Sequence, residues 1–124
     1  MKNTNIVKSL KNAVSGIVYA ISSERNLKVH TVMAVVVLVA AILLKVTVLE
    51  LIALFLVIGL VMVCELMNTV MEVLLDTMVR IYHPKVKVIK DISAGAVLIS
   101  AVTAIIVGFL VFYERINMLI AKLL

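Results

Sequence analysis

The chain is expected to fold as an all-α integral membrane protein, with three transmembrane helices preceded by an N-terminal amphipathic helix. Its 124 residues are 65% hydrophobic with a mean hydropathy of +1.25, which leaves too little polar surface to cover a core in water. Apolar runs over about 29–44, 51–70 and 92–113 are each about one bilayer crossing long, once the first is allowed to start in the polar segment before it. No repeat, low-complexity tract or linker separates them, so residues 1–124 form a single membrane-embedded domain.

Residues 1–28 precede the first span. Ile6, Leu10, Ala13, Val14, Ile17 and Ile21 recur at three- and four-residue steps, while Lys8, Lys11, Asn12, Ser15, Tyr19 and Ser22 fall mostly elsewhere on the helix. This pattern predicts an amphipathic helix lying in the membrane surface with its lysines toward headgroups. It lacks the compact apolar run of a signal peptide. Lys45 to Glu50 is expected to form a short turn after span one. The second helix is expected to run beyond its span to Val79, and Pro84 ends that extension, because proline cannot continue a helical ladder. A basic loop then leads to Lys90-Asp91, which opens span three.

Charge orients the bundle. Nine of the twelve basic residues (Lys2, Lys8, Lys11, Arg25, Lys28, Arg80, Lys85, Lys87 and Lys90) lie before span one or between spans two and three. By the positive-inside rule these segments and the N-terminus are cytoplasmic, and the C-terminus is outside. The net charge of +5 therefore reads as topology and attraction to anionic headgroups. No basic cluster interleaved with aromatics points to nucleic acid. The single cysteine, Cys64, lies in an apolar run and behaves as a small buried hydrophobe.

The chemistry is concentrated in Glu65, Asn68, Glu72 and Asp76. Spacings of three, seven and eleven residues place them in one sector of the second helix. Ionisable groups inside or at the edge of a span are costly and need a compensating role. Three carboxylates on one face also repel one another unless a cation sits among them. Glu65 lies fourteen residues past Leu51, about 21 Å into a hydrocarbon layer about 30 Å thick, so Asp76 is nearer water. The stripe can thus meet a lipid headgroup at one end and a soluble reagent at the other. Magnesium takes one or two carboxylates plus substrate phosphates. Glu72 flanked by Asn68 and Asp76 supplies such oxygens, and Lys90 supplies an ammonium for a phosphate.

Blander readings exist for each residue. Carboxylates at helical spacing are usually a solvated face or ion-pair partners. Glu65 fits either a hydrogen-bonded acid that fixes packing or a general base. His30, Tyr82 and His83 fit polar or aromatic anchors at the membrane boundary. Glycine-rich phosphate loops, Cys/His metal spacings and a serine triad are absent from the sequence, so a nucleotide would be held by carboxylates, metal and basic side chains. A small oligomeric cation channel or transporter subunit, or a scaffold, is the non-enzymatic alternative. The clustering of acids at the inner boundary, with no polar continuation through the outer half, argues against a channel.

Glu65-Leu-Met-Asn68-Thr69-Val-Met-Glu72-Val-Leu-Leu-Asp76, followed by Lys90-Asp91-Ile-Ser-Ala-Gly-Ala-Val97, resembles the signature of the small bacterial diacylglycerol kinase/undecaprenol kinase family over essentially the whole chain. The resemblance implies a homotrimer in the bacterial cytoplasmic membrane that transfers the γ-phosphoryl of MgATP to a lipid alcohol at the inner face. It further implies Glu65 as general base and Glu24 and Glu72 as magnesium ligands. Asn68, Asp76, Tyr82, His83, Lys90 and Asp91 would line the ATP site, and Gly16, Asn26 and His30 would lie near the acceptor. His30 stands where the diacylglycerol kinase branch carries an acid, and Asn12 where that branch has an aromatic. Glu24-Arg25-Asn26-Leu-Lys-Val-His30 is closer to the undecaprenol kinase branch, which makes undecaprenol the expected acceptor and diacylglycerol the alternative.

Overall fold

The computed structural model describes residues 5–124, and the regular elements within them are four α-helices: α1 (Ile6–Ser23), α2 (Arg25–Leu43), α3 (Val48–Met78) and α4 (Pro84–Leu123). Lys2, one of the basic residues used to orient the chain, lies outside the described residues. The three longer helices are each long and apolar enough to cross a membrane.

Local chemistry sets the helix ends. The Asn5 side chain accepts from the Val7 N–H at 3.3 Å and caps α1. At the other end Glu24 adopts extended backbone (φ −106, ψ 121) while its own N–H donates to the Ala20 carbonyl at 2.9 Å. One non-helical residue therefore turns the corner into α2, which starts at Arg25, four residues before the apolar run. Leu27 and Ala20 are buried in this corner.

The α2–α3 turn is tighter than expected. Lys45 takes the left-handed conformation (φ 53) that helix C-termini use to close, and Val46 N–H donates to the Ala41 carbonyl at 3.1 Å. Glu50 is already helical. Thr47 Oγ1 accepts from the Glu50 N–H at 3.2 Å and the Glu50 carboxylate accepts from the Thr47 N–H at 2.8 Å, a reciprocal capping box.

The stretch Lys85–Lys90, expected as a basic loop, is helical. His83 Nδ1 accepts from the Lys85 N–H at 3.1 Å, and Pro84 opens α4 at a position where its missing N–H costs nothing. Lys90-Asp91 therefore sits on the second turn of a 40-residue helix, about 60 Å long, that overruns the predicted span at both ends.

α3 packs most extensively along α4 and next along α2, while α1 touches α2 and, more lightly, α3. The α3–α4 pair is pinned at each end by an ion pair. Arg115 meets Glu50 at 2.6 Å, and Lys90 meets Asp76 at 2.5 Å. Glu50 and Asp76 are 26 residues apart on α3, about 39 Å along the axis, enough to bracket a hydrocarbon layer about 30 Å thick. Ala41, Leu54 and Val111 form the buried apolar cluster, toward the α2–α3 turn. Most other large apolar side chains are exposed, among them Ile105 at 70% and Leu110 at 69%, as hydrocarbon solvent allows and water does not.

The capping box gives a stability prediction. Thr47→Ala removes the side-chain acceptor and should lower stability by about 1 kcal/mol, whereas Thr47→Ser should stay near wild type. Reversible unfolding in mixed micelles measures both.

Candidate active site

The buried residues of α3 are Leu54, Val57, Val61, Glu65, Asn68 and Thr69. They recur at three- and four-residue steps and so form one stripe. Its half toward the α2–α3 turn is hydrocarbon and its half toward the α3–α4 loop is polar. The face that packs against α2 and α4 thus becomes a row of oxygens and an amide as it nears the α3–α4 loop.

Each predicted carboxylate of the stripe has its own partner within the chain. Glu65 is 3% exposed, and its Oε1 lies 3.0 Å from His30 Nε2 on α2. One turn on, Asn68 Nδ2 donates to Glu72 Oε1 at 3.3 Å. The Asn68 Oδ1 atom is buried and unpartnered, an acceptor that burial ordinarily does not leave empty. Asp76, at the exposed end, pairs with Lys90, and Lys87 pairs with Asp91 at 2.5 Å. The carboxylates of the stripe are therefore each engaged separately, by an imidazole, an amide and an ammonium. Among the described residues no three His, Cys, Asp or Glu side chains converge as a ligand set.

Two clefts flank the predicted polar residues. One, of about 310 Å³, gathers Asp76, Tyr82, His83, Lys90 and Asp91, five of the predicted nucleotide-site residues, together with Arg80 and Lys87. The last two had been read only for topology. Their signal was their placement, Arg80 four residues after Asp76 and Lys87 four before Asp91. The second cleft, of about 340 Å³, is walled by apolar residues of α2, α3 and α4, including Val37, Val61, Ile105 and Phe109, and His30 is its one titratable lining residue. Along α3, Glu65 and Asp76 are about 16 Å apart with Glu72 between them.

The remaining predicted residues stand apart. Glu24 is half-buried in the α1–α2 corner and Asn26 is exposed on the first turn of α2. Gly16 lines an apolar cleft between α1 and α3 that also includes Thr69. Neither Glu24 nor Asn26 makes a side-chain hydrogen bond or ion pair to the stripe among the described residues.

Such an arrangement can hold a desolvated carboxylate at the end of an apolar cleft and bind polyanions at a basic, solvent-facing one. Residues 11–112 match the family model described as prokaryotic diacylglycerol kinase. The chain is 41% identical over 105 residues to a diacylglycerol kinase of Synechocystis sp., covering 84% of this chain and 60% of that protein. It is 36% identical over 108 residues to an undecaprenol kinase of Bacillus subtilis, covering 87% of this chain and 88% of that protein. The chain spans less than two thirds of the cyanobacterial relative and most of the Bacillus one. This membrane-spanning chain belongs to the prokaryotic diacylglycerol kinase family.

Proposed function

We propose that the chain transfers the γ-phosphoryl of MgATP to the hydroxyl of a membrane lipid alcohol, undecaprenol in the first instance. The observation that carries this reading is the continuity of one face of α3. That face runs from a carboxylate beside an apolar cleft to a basic cleft beyond the hydrocarbon. The lipid's hydroxyl approaches Glu65 at its depth in the bilayer, and the nucleotide lies among Asn68, Asp76, Tyr82, His83, Lys90 and Asp91.

In the transfer, the alcohol O–H gives its proton to the Glu65 carboxylate as its oxygen bonds the γ-phosphorus. The bond to the β–γ bridging oxygen breaks and ADP leaves. Catalysis of this kind is mostly positioning and electrostatic stabilisation. Lys90 is only weakly committed to Asp76, since an ion pair this open to water is worth about 0–1 kcal/mol. A phosphate can therefore recruit it.

The donors also suit a magnesium ion carried on the nucleotide. A half-buried Glu72 carboxylate stands beside the orphaned Asn68 oxygen, and magnesium prefers one or two carboxylates plus phosphates over a protein cage. Glu72 would hold it; Glu24, the second ligand the family resemblance implies, stands apart from the stripe within the chain. When bound, the ion supplies charge neutralisation on the transferring phosphoryl group.

The relative named undecaprenol kinase and the Glu24–His30 segment support a polyprenol acceptor. The relative named diacylglycerol kinase supports the second reading, in which diacylglycerol is phosphorylated. The reading also places the N-terminus and the nucleotide site on the cytoplasmic side of a bacterial membrane, α1 in the membrane surface, and three copies in the working unit.

The test is reconstitution of the purified chain with MgATP and undecaprenol, diacylglycerol or no lipid, followed by assay of phosphate in the lipid fraction. Transfer to undecaprenol in preference to diacylglycerol is expected; transfer to neither would return the chain to a channel or scaffold role. Glu65→Gln should lower kcat by roughly 10²- to 10⁴-fold with little change in lipid KM, the range for loss of a general base. Glu72→Gln should instead weaken MgATP binding and raise the magnesium requirement. Lys90→Ala should raise the KM for ATP by roughly ten- to a hundredfold, as loss of a charge-assisted hydrogen bond does. Steady-state kinetics with each substrate varied separately distinguishes the three.

A further inference from the structure

We propose that His30 is the positioning residue of the base. It grips the Glu65 carboxylate by one oxygen at the polar end of the apolar cleft and leaves the other to take the acceptor's proton. The inference rests on Glu65 being the base, as argued above.

Three observations meet at this histidine. Its Nε2 lies 3.0 Å from Glu65 Oε1, and the carboxylate it touches is almost wholly buried. Among the described residues no second side chain bonds that carboxylate, and this is the one polar side-chain link from α2 to α3. The same imidazole lines the cleft whose other walls include Met33, Val37, Ile105 and Phe109. One side chain thus touches both the proton acceptor and the apolar space next to it.

The physical need is specific. A glutamate has three side-chain torsions before its carboxylate. In an apolar setting few neighbours hold it in any one rotamer. A single N–H donor on a different helix fixes one oxygen and with it the direction of the other. During transfer the alcohol O–H bond breaks, the new O–P bond forms, and the proton goes to the oxygen that His30 does not hold. The ADP oxygen leaves with the electron pair of its bond to phosphorus. Glu65 ends as a neutral acid beside the imidazole. A bond that served helix packing alone would not be sensitive to whether the proton acceptor was present.

That difference is measurable. Lipid phosphorylation would be compared in bilayers for the wild type, His30→Ala, His30→Leu, His30→Gln, Glu65→Gln and the His30→Ala/Glu65→Gln double variant, with unfolding midpoints alongside. His30→Ala and His30→Leu should lower kcat by ~10²-fold, the scale of a misplaced reacting group, without moving the KM for ATP. His30→Gln, which keeps an N–H at similar reach, should recover most of the rate. In the Glu65→Gln background the His30→Ala loss should disappear. Equal rates for His30→Leu and His30→Gln, or an undiminished His30→Ala loss in the double variant, would overturn the proposal and leave a packing contact. Wild-type turnover in Glu65→Gln alone would instead remove the base assignment, and the inference built on it.

Discussion

One face of α3 is buried from Leu54 to Thr69, and midway along it the packing changes from hydrocarbon to carboxylate. That change constrains everything around it. A carboxylate at Glu65's position, inside the apolar layer, is tolerated only with a partner, and removing one member of such a pair leaves an uncompensated buried group. α2 must therefore pass close enough for His30 to reach it. The one-residue corner at Glu24 brings α2 there directly after α1, and the tight turn at Lys45 returns the chain into α3 in register with it.

The end of the bundle at the α2–α3 turn has the opposite character. Ala41, Leu54 and Val111 pack as an apolar cluster, and Arg115 closes the α3–α4 pair on Glu50. Stability is thereby concentrated at one end and chemistry at the other. Dispersion contacts and a capped helix start need no ligand, so that end can be rigid. Toward the α3–α4 loop Asp76–Lys90 and Lys87–Asp91 are solvent-facing pairs of small net worth, and Asn68 keeps an unpartnered oxygen. These groups are available to exchange partners, which a site that binds and releases a polyanion requires.

Much of this was readable in the residues. Composition and the three apolar runs specified the membrane helices, because bilayer thickness dictates their length. The three-, seven- and eleven-residue spacings put Glu65, Asn68, Glu72 and Asp76 on one face before any coordinates. Contacts between helices were less legible. Nothing local to His30 reveals that its partner is thirty-five residues away, and in isolation it read as an interfacial group or a substrate contact. Arg80 and Lys87 read as topology signals because their cleft exists only once α3 and α4 are paired. The basic segment before Lys90 looked like a loop because its charges obscure a helical start whose real signals are His83 as cap and Pro84 at the first position. Repulsion among the carboxylates was foreseen, but two of the three partners that engage them, His30 and Lys90, come from α2 and α4.

The most direct measurement of the central claim is solid-state NMR of the chain in lipid bilayers, with labelled His30 and Glu65 side chains, labelled lysines and a non-hydrolysable ATP analogue. The account predicts a His30 Nε2–Glu65 carboxyl contact that persists when the nucleotide binds, nucleotide phosphorus close to Lys90, and the γ-phosphorus as the one nearest Glu65, where the acceptor's oxygen must meet it. A Glu65 carboxylate facing acyl chains with no imidazole beside it, or phosphorus signals remote from the inner end of α3, would contradict it.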